Sequence, residues 1–509
     1  METNPSNRTK ETIISFIAGG LNTLLVVVQS MVLMPMCLKY IGSNLYGAWL
    51  AIGDILVWLQ ALDLGIPNII TQKIAAAQGK DKKDYRYSII VISVLILLIV
   101  SIAVCLLGGL IAPHLFLKLS TNKSESFKIQ WCFKIGVLAA AVNLFCNCFI
   151  GVARGLQKTS LISLFSIVAT IAGIITSFYI IKNGGGVWGL PIAMLVRSVV
   201  MLIGSIAFWY KYINNSDLKG CVSFNQVLAD LAELVPMSSI SGVAYSLIQQ
   251  SESLIAAYLV SPKAAVTLAV TRKASEVIRA LLDIITFSAY GPFSNLVASG
   301  SKDHAWAIFN QITTIRMAIS IAAVSAYITV NKEFVGLWVG QEMFGGHLLS
   351  VVIGMHVVLS CSSFFNNYLY RACGSFTHGS IGLVIESAAR GGLIALLQIK
   401  FGIFGMIIAG CITSIVAMFI YLKLIRENLC STAKENGVNR PSLYSLMFLP
   451  AATALAICLP RLNWMTVVII AGGVFFLSLT LQMCLDGELR AAVLNRLAFF
   501  KHKIVAKQL

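Results

Sequence analysis

The sequence predicts an all-α polytopic membrane protein with about fourteen spans. Two observations carry that reading. The chain of 509 residues is 58% hydrophobic and 12% charged, whereas soluble domains carry about 25% charged residues. Apolar runs of about twenty residues, the length a helix needs to cross a bilayer, recur from end to end. The segments between them are short. The longest lie near 113–130, 211–235 and 425–441 and leave no room for a soluble catalytic domain.

Taken in order, the polar start METNPSNRTKE leads into an apolar run at 12–37, too long for the core of a cleaved signal. Runs at 45–66, 87–112, 131–152, 159–182 and 186–210 complete a first group of six. Runs at 236–260, 264–297, 306–330, 347–370, 378–399 and 402–424 form a second, and 442–460 and 464–485 add two more. The expected organisation is a six-helix lobe over 1–210, a cytoplasmic linker over 211–235 and a second six-helix lobe over 236–424. Two additional helices over 442–485 and a basic tail over 486–509 follow.

Lys and Arg set the orientation. With the N-terminus in the cytoplasm, inner segments hold 22 of the 38 basic residues and outer loops 10. Both termini are therefore expected inside. This asymmetry accounts for most of the net charge of +17 without invoking nucleic acid, and the basic tail suits an anionic lipid surface. The remaining six cations lie inside spans: Arg197, Arg272, Lys273, Arg279, Arg316 and Arg390. The twelve cysteines are scattered, mostly within apolar runs, and with the six histidines they form no metal-ligand spacing, so neither metal nor cofactor is expected.

The chain repeats itself. GVWGLPIA at 186–193 matches GIFGMIIA at 402–409, and GVARG at 151–155 precedes YRACG at 370–374. YIGSNLYGAWLAIGD at 40–54 aligns with LVSPKAAVTLAVTRK at 259–273. Six spans return a chain to its starting side, so two such units share one orientation. That is the plan of parallel-repeat transporters, which places the substrate path between the halves.

One segment breaks the apolar pattern. TRKASEVIRALLDI, 271–284, carries Arg272, Lys273, Glu276, Arg279 and Asp283 between apolar flanks. A charge at mid-bilayer costs about 2.5–3.5 kcal/mol, so five facing lipid would cost roughly 15 kcal/mol. They therefore line a watery cavity or lie outside the hydrocarbon. Residues 272, 276, 279 and 283 fall on one helical stripe, where neighbours can pair, with Lys273 as surplus cation. Val270, Ala274, Ile278, Leu281 and Ile285 make up the opposite, apolar face.

The stretch YIGSNLYGAWLAIGDILVWLQALDLGIPNIITQKIAAAQGK, residues 40–80, resembles bacterial polysaccharide-unit flippases of the Wzx type. These belong to the MOP exporter superfamily, with the MATE multidrug exporters and the lipid II flippases. The resemblance implies a MATE-like two-lobed bundle of six plus six helices, here with two extra C-terminal helices. It implies alternating access and a cargo of oligosaccharide linked to undecaprenyl pyrophosphate, such as an O-antigen unit for lipopolysaccharide. The expected setting is the bacterial inner membrane, among lipids and the polysaccharide polymerase machinery.

Under that resemblance Arg272, Lys273, Arg279, Arg197 and Arg316 are the candidates for the pyrophosphate, since guanidinium forks and ammonium groups bind phosphate oxygens. Glu276, Asp283 and Arg390 are candidate ion-pair members. Glu252, Glu386 and Asp54 are candidates for coupling to H⁺ or Na⁺, and Asp63 for closing the end of the second span. Tyr245, Gln249, Trp58 and Asn366 are candidate sugar contacts. An export pathway for cationic drugs remains the alternative, although it would favour an acidic cavity. An enzyme is not expected: there is no D-x-D nucleotide-sugar motif, no large outer loop and no phosphate-binding G-x-x-x-x-G-K-[ST].

Overall fold

The computed structural model describes residues 5–63, 65–79, 83–115, 123–214, 242–244, 246–247, 252–429, 448–460, 462–487 and 489–490. They are helical almost throughout, as the bilayer demands, because an α-helix satisfies its own backbone donors and acceptors without water. The helices are α1 (Pro5–Tyr40), α2 (Ser43–Gln60), α3 (Ile66–Gly79), α4 (Lys83–Leu115), α5 (Lys123–Gly155), α6 (Ser160–Ile180) and α7 (Gly189–Phe208). Then come α8 (Glu252–Leu259), α9 (Pro262–Ala298), α10 (Lys302–Trp338), α11 (His347–Ala372), α12 (Phe376–Phe401), α13 (Ile403–Leu429), α14 (Phe448–Cys458) and α15 (Trp464–Leu485). Among the described residues, nine helical stretches are long and apolar enough to cross a membrane. The 37-residue α9 is about 55 Å long, enough to cross and protrude.

Every expected span has helix over its described part; for 236–260 that part is 242–244, 246–247 and α8, and for 442–460 it is α14. One helix was not anticipated. The basic residues that follow the second span suggest a cytoplasmic loop, yet α3 occupies 66–79. Ile66, Ile69, Ile70 and Ile74 share one buried face of α3 and pack against α4 and α5. A short 3₁₀ turn at Ala61–Asp63 separates α3 from α2. There Gly65 N donates to Asp63 Oδ1 at 2.9 Å, so Asp63 closes the end of the span.

Packing divides the chain into two compact units, residues 1–266 and 267–509. The division lies in the first turn of α9, downstream of the expected linker at 211–235, most of which is outside the described residues. In the first unit, Ile70, Ile89, Leu144, Cys146, Cys148, Phe149 and Phe208 form a core among α3, α4, α5 and α7. In the second, Phe293, Trp306, Phe309, Phe365, Tyr370 and Tyr421 join α9, α10, α11 and α13.

The sequence repeat reappears as backbone geometry. Helices α2 and α9 begin at Ser43 and Pro262, and α4 and α10 at Lys83 and Lys302, both 219 residues apart. Before α2, Ile41 N and Gly42 N both donate to Cys37 O; before α9, Val260 N and Ser261 N both donate to Ala256 O. Gly186 (φ 55°, ψ −131°) and Gly402 (φ 54°, ψ −130°) open the matched segments in the same unusual conformation. One difference between the halves bears on the site. The first breaks at 61–65 between α2 and α3, whereas its counterpart continues unbroken as α9.

Within the first unit, α8 and the start of α9 pack on α2. A β-carbon on Gly47 would overlap the Pro262 carbonyl, so the helices meet backbone to backbone. We expect Gly47→Ala to destabilise the protein by about 1–3 kcal/mol through overpacking, read as a lower melting temperature in detergent. An unchanged melt would contradict this close approach.

Candidate functional site: a charged helix against a serine run

The charged stripe of α9 lies in the second unit. Its entry is fixed by Thr271. The Thr271 carbonyl accepts from Tyr327 Oη at 2.9 Å and from Asn331 Nδ2 at 3.0 Å, both on α10, and Thr271 Oγ1 accepts from Gly345 N at 3.0 Å. Beyond this anchor, Glu276 is held by two cations, Arg272 Nε at 3.1 Å and Lys273 Nζ at 2.8 Å. All three side chains keep some exposure. Leu281, on the opposite side of the helix, and Ile284, beside it, are exposed and apolar, whereas Phe287 continues the stripe one turn beyond Asp283 and packs against Phe364 and Tyr368 of α11.

The lower stripe departs from simple i, i+4 pairing. Arg279 Nη2 reaches across to Ser360 Oγ on α11 at 3.2 Å. Asp283 makes no ion pair or hydrogen bond among the described residues and feels Arg279 and Arg316 only through their fields.

Arg316 on α10 is 1% exposed, so it neither snorkels nor opens to solvent. Its guanidinium lies 4.6 Å from the Phe365 ring centroid, and Nη2 donates to Ser362 Oγ at 2.9 Å. Nε and Nη1 have no hydrogen-bond partner. The third serine of the run, Ser363, donates to Glu386 on α12 at 3.3 and 3.4 Å. Arg390, one turn along α12, acts on Glu386 electrostatically rather than by a direct bond. Helix α11 is thus a hub: Ser360, Ser362 and Ser363 each take one charged side chain from α9, α10 and α12 respectively.

The other candidates are dispersed. In the first unit, buried Asp54 accepts from Leu254 N at 2.7 Å, and so satisfies a donor in the first turn of α8, where buried Glu252 also lies. Arg197 is half-buried on α7, packed toward Gly173 of α6. Trp58 is half-buried on α2. Asn366 is buried on α11, and its amide donates to Met418 O of α13 at 3.2 Å, which commits that group to helix packing. Tyr245 and Gln249 lie outside the described residues. Sequence reasoning missed the hub. Its signal is SCSS at 360–363, three hydroxyls clustered inside an apolar span.

Because Ser362 supplies the one oxygen partner of a buried cation, Ser362→Ala should cost about 1–3 kcal/mol in thermal stability. Ser360→Ala should cost less, since Arg279 retains partial exposure. Equal melting temperatures for both variants and wild type would contradict this ranking.

Comparison with known proteins places this architecture. The family model described as polysaccharide biosynthesis protein matches residues 9–293. No curated protein matches the chain. Among solved structures, an inward-facing multidrug resistance MATE family transporter of the MOP superfamily aligns with TM-score 0.65 at 15% identity, over 81% of this chain and 96% of that one. The lipid II flippase MurJ, inward closed, aligns with TM-score 0.64 at 14% identity, over 92% and 98%. A MOP superfamily transporter from Pyrococcus furiosus, described as having a binding pocket of reverse polarity, aligns with TM-score 0.58 at 15% identity, over 82% and 94%. The fold is therefore that of the MOP transporters, and since the matched model spans more than half its length, the chain belongs to the polysaccharide biosynthesis protein family.

Proposed function

We propose that this protein is a flippase that carries a polyprenyl-pyrophosphate-linked oligosaccharide, such as an O-antigen repeat unit, across the bacterial inner membrane. The observation that carries this reading is the charge balance around α9. Arg272 and Lys273 share the Glu276 carboxylate, and Arg279 and Arg316 bond serine hydroxyls, so among the described contacts four cations are gathered where two carboxylates, Glu276 and Asp283, are seen. Membership in a polysaccharide biosynthesis family and a fold shared with a lipid II flippase support the cargo class.

In this reading, Arg272 and Lys273 present donors to the pyrophosphate, and Glu276 holds both side chains in place until the anion arrives. Phosphate contacts of this kind strengthen where water is scarce. The polyprenyl tail needs no polar path and stays in lipid while the head group crosses. Glu386, buried and bonded to a single hydroxyl, is the carboxylate we assign to H⁺ or Na⁺ coupling, because Asp54 is committed to α8. Both termini lie in the cytoplasm, and the cargo passes to the polymerase machinery on the far side. A cationic-drug exporter shares the fold, but its cargo would be repelled by this cluster.

The test uses the native host with the gene deleted. Wild type, Arg272→Ala and Lys273→Ala are supplied at matched membrane levels, and surface polysaccharide and lipid-linked units are assayed. Deletion should abolish surface polymer and cause unpolymerised lipid-linked units to accumulate, and both variants should reproduce much of that phenotype. Unchanged polymer on deletion would remove the flippase reading.

A further inference from the structure

The stripe of α9 does not end at Asp283. Phe287 and Tyr290 extend the series 272, 276, 279, 283 by further steps of four and three, so the charged side of the helix becomes aromatic. Helix α11 answers it with Ser360, Phe364 and Tyr368, which follow one another at steps of four. Ser360 meets Arg279 at 3.2 Å, and beyond that bond the two helices meet ring against ring. The Tyr368 centroid lies 4.7 Å from that of Tyr290 and 5.3 Å from that of Phe287, and Phe287 lies 6.0 Å from Phe364.

Packing alone does not account for this group. Phe287 is 51% exposed, and Tyr290 and Tyr368 are half-buried. A tyrosine ring drawn out of water usually brings its hydroxyl a partner, yet neither hydroxyl makes a hydrogen bond among the described residues. Tyrosines that anchor a helix at a membrane surface face lipid, whereas Tyr290 lies on the charged side of α9, away from exposed Leu281. An open aromatic ring beside phenolic hydroxyls is the surface that a sugar fits: its C–H face rests on the ring, and its hydroxyls exchange hydrogen bonds with the phenols. Length agrees. From Lys273 to Phe287 the helix runs about 21 Å, too far for one sugar ring and within the reach of a short oligosaccharide.

We propose that Phe287, Tyr290 and Tyr368 form a saccharide subsite, continuous with the cationic site for the pyrophosphate. Phe287 supplies the apolar face, the two tyrosine hydroxyls bond the sugar's hydroxyls, and Phe364 backs the rings from α11. The assignment rests on the flippase reading and deepens it. The cationic end of the stripe holds the part that all such cargoes share, and the aromatic end touches the part in which they differ.

Binding to the purified full-length protein in detergent tests it. Two probes are titrated separately by calorimetry: inorganic pyrophosphate, and the oligosaccharide released by mild acid from the host's lipid-linked units and freed of phosphate. Wild type should bind both. The double variant Tyr290→Phe, Tyr368→Phe keeps the rings and removes only the hydroxyls. It should melt as wild type does and bind the oligosaccharide about tenfold more weakly. Wild-type affinity for the oligosaccharide in that variant overturns the subsite, and is the result expected if the rings merely anchor the helix. A wild-type protein that binds pyrophosphate but not the oligosaccharide also overturns the subsite and leaves the flippase reading standing. One that binds neither removes that reading and the subsite with it.

Discussion

The cost of ionised side chains inside an apolar layer governs the second unit of this protein. The five charges at 272–283 of α9 together with Arg316 of α10 would exceed the stability of a typical domain if left facing lipid. The structure meets that cost in three different ways. Glu276 takes two cations at once. The serine run of α11 takes Arg279, Arg316 and Glu386 one by one. The apolar side of α9 exposes Leu281 and Ile284 instead. Among the described residues, Asp283 and two nitrogens of Arg316 make no hydrogen bond.

The internal repeat explains why the continuous charged stripe is found in the second half. Both halves use the same frame, with equivalent helix starts and the same glycine conformation at 186 and 402. The first half spends its break on Asp63, Gly65 and Pro67, which end α2 and restart the chain as α3. The positions 219 residues later are Leu282, Ile284 and Thr286, which continue a helix. An unbroken helix holds its stripe in register over three turns, whereas a broken one could not keep Arg272 and Asp283 on a common face.

Much of this was legible in the sequence because it depends on periodicity. The stripe at 272, 276, 279 and 283 is an i, i+4, i+7, i+11 series, and α9 carries it as expected. The spans follow from apolar length. What escaped depends on tertiary contact. Ser360, Ser362 and Ser363 read as small polar residues in an apolar helix, and nothing local reveals three charges converging on them. Asn366 is a sugar-contact candidate by chemistry; its Nδ2 donates to Met418 O, while its Oδ1 makes no hydrogen bond among the described residues. Helix α3 was hidden because the charges after Gly79 resemble a loop, while its isoleucine face has meaning only against α4 and α5.

The family assignment and the cationic excess together point to an anionic, lipid-linked cargo. The most direct measurement is flipping by the purified protein in sealed vesicles loaded with a polyprenyl-pyrophosphate-linked oligosaccharide, scored by access of the sugar to an added glycosidase. The account predicts that wild type exposes the unit to the enzyme far faster than empty vesicles do, and that Arg272→Ala with Lys273→Ala abolishes most of that gain. Wild-type vesicles no faster than empty ones, together with efflux of a cationic drug, would contradict it.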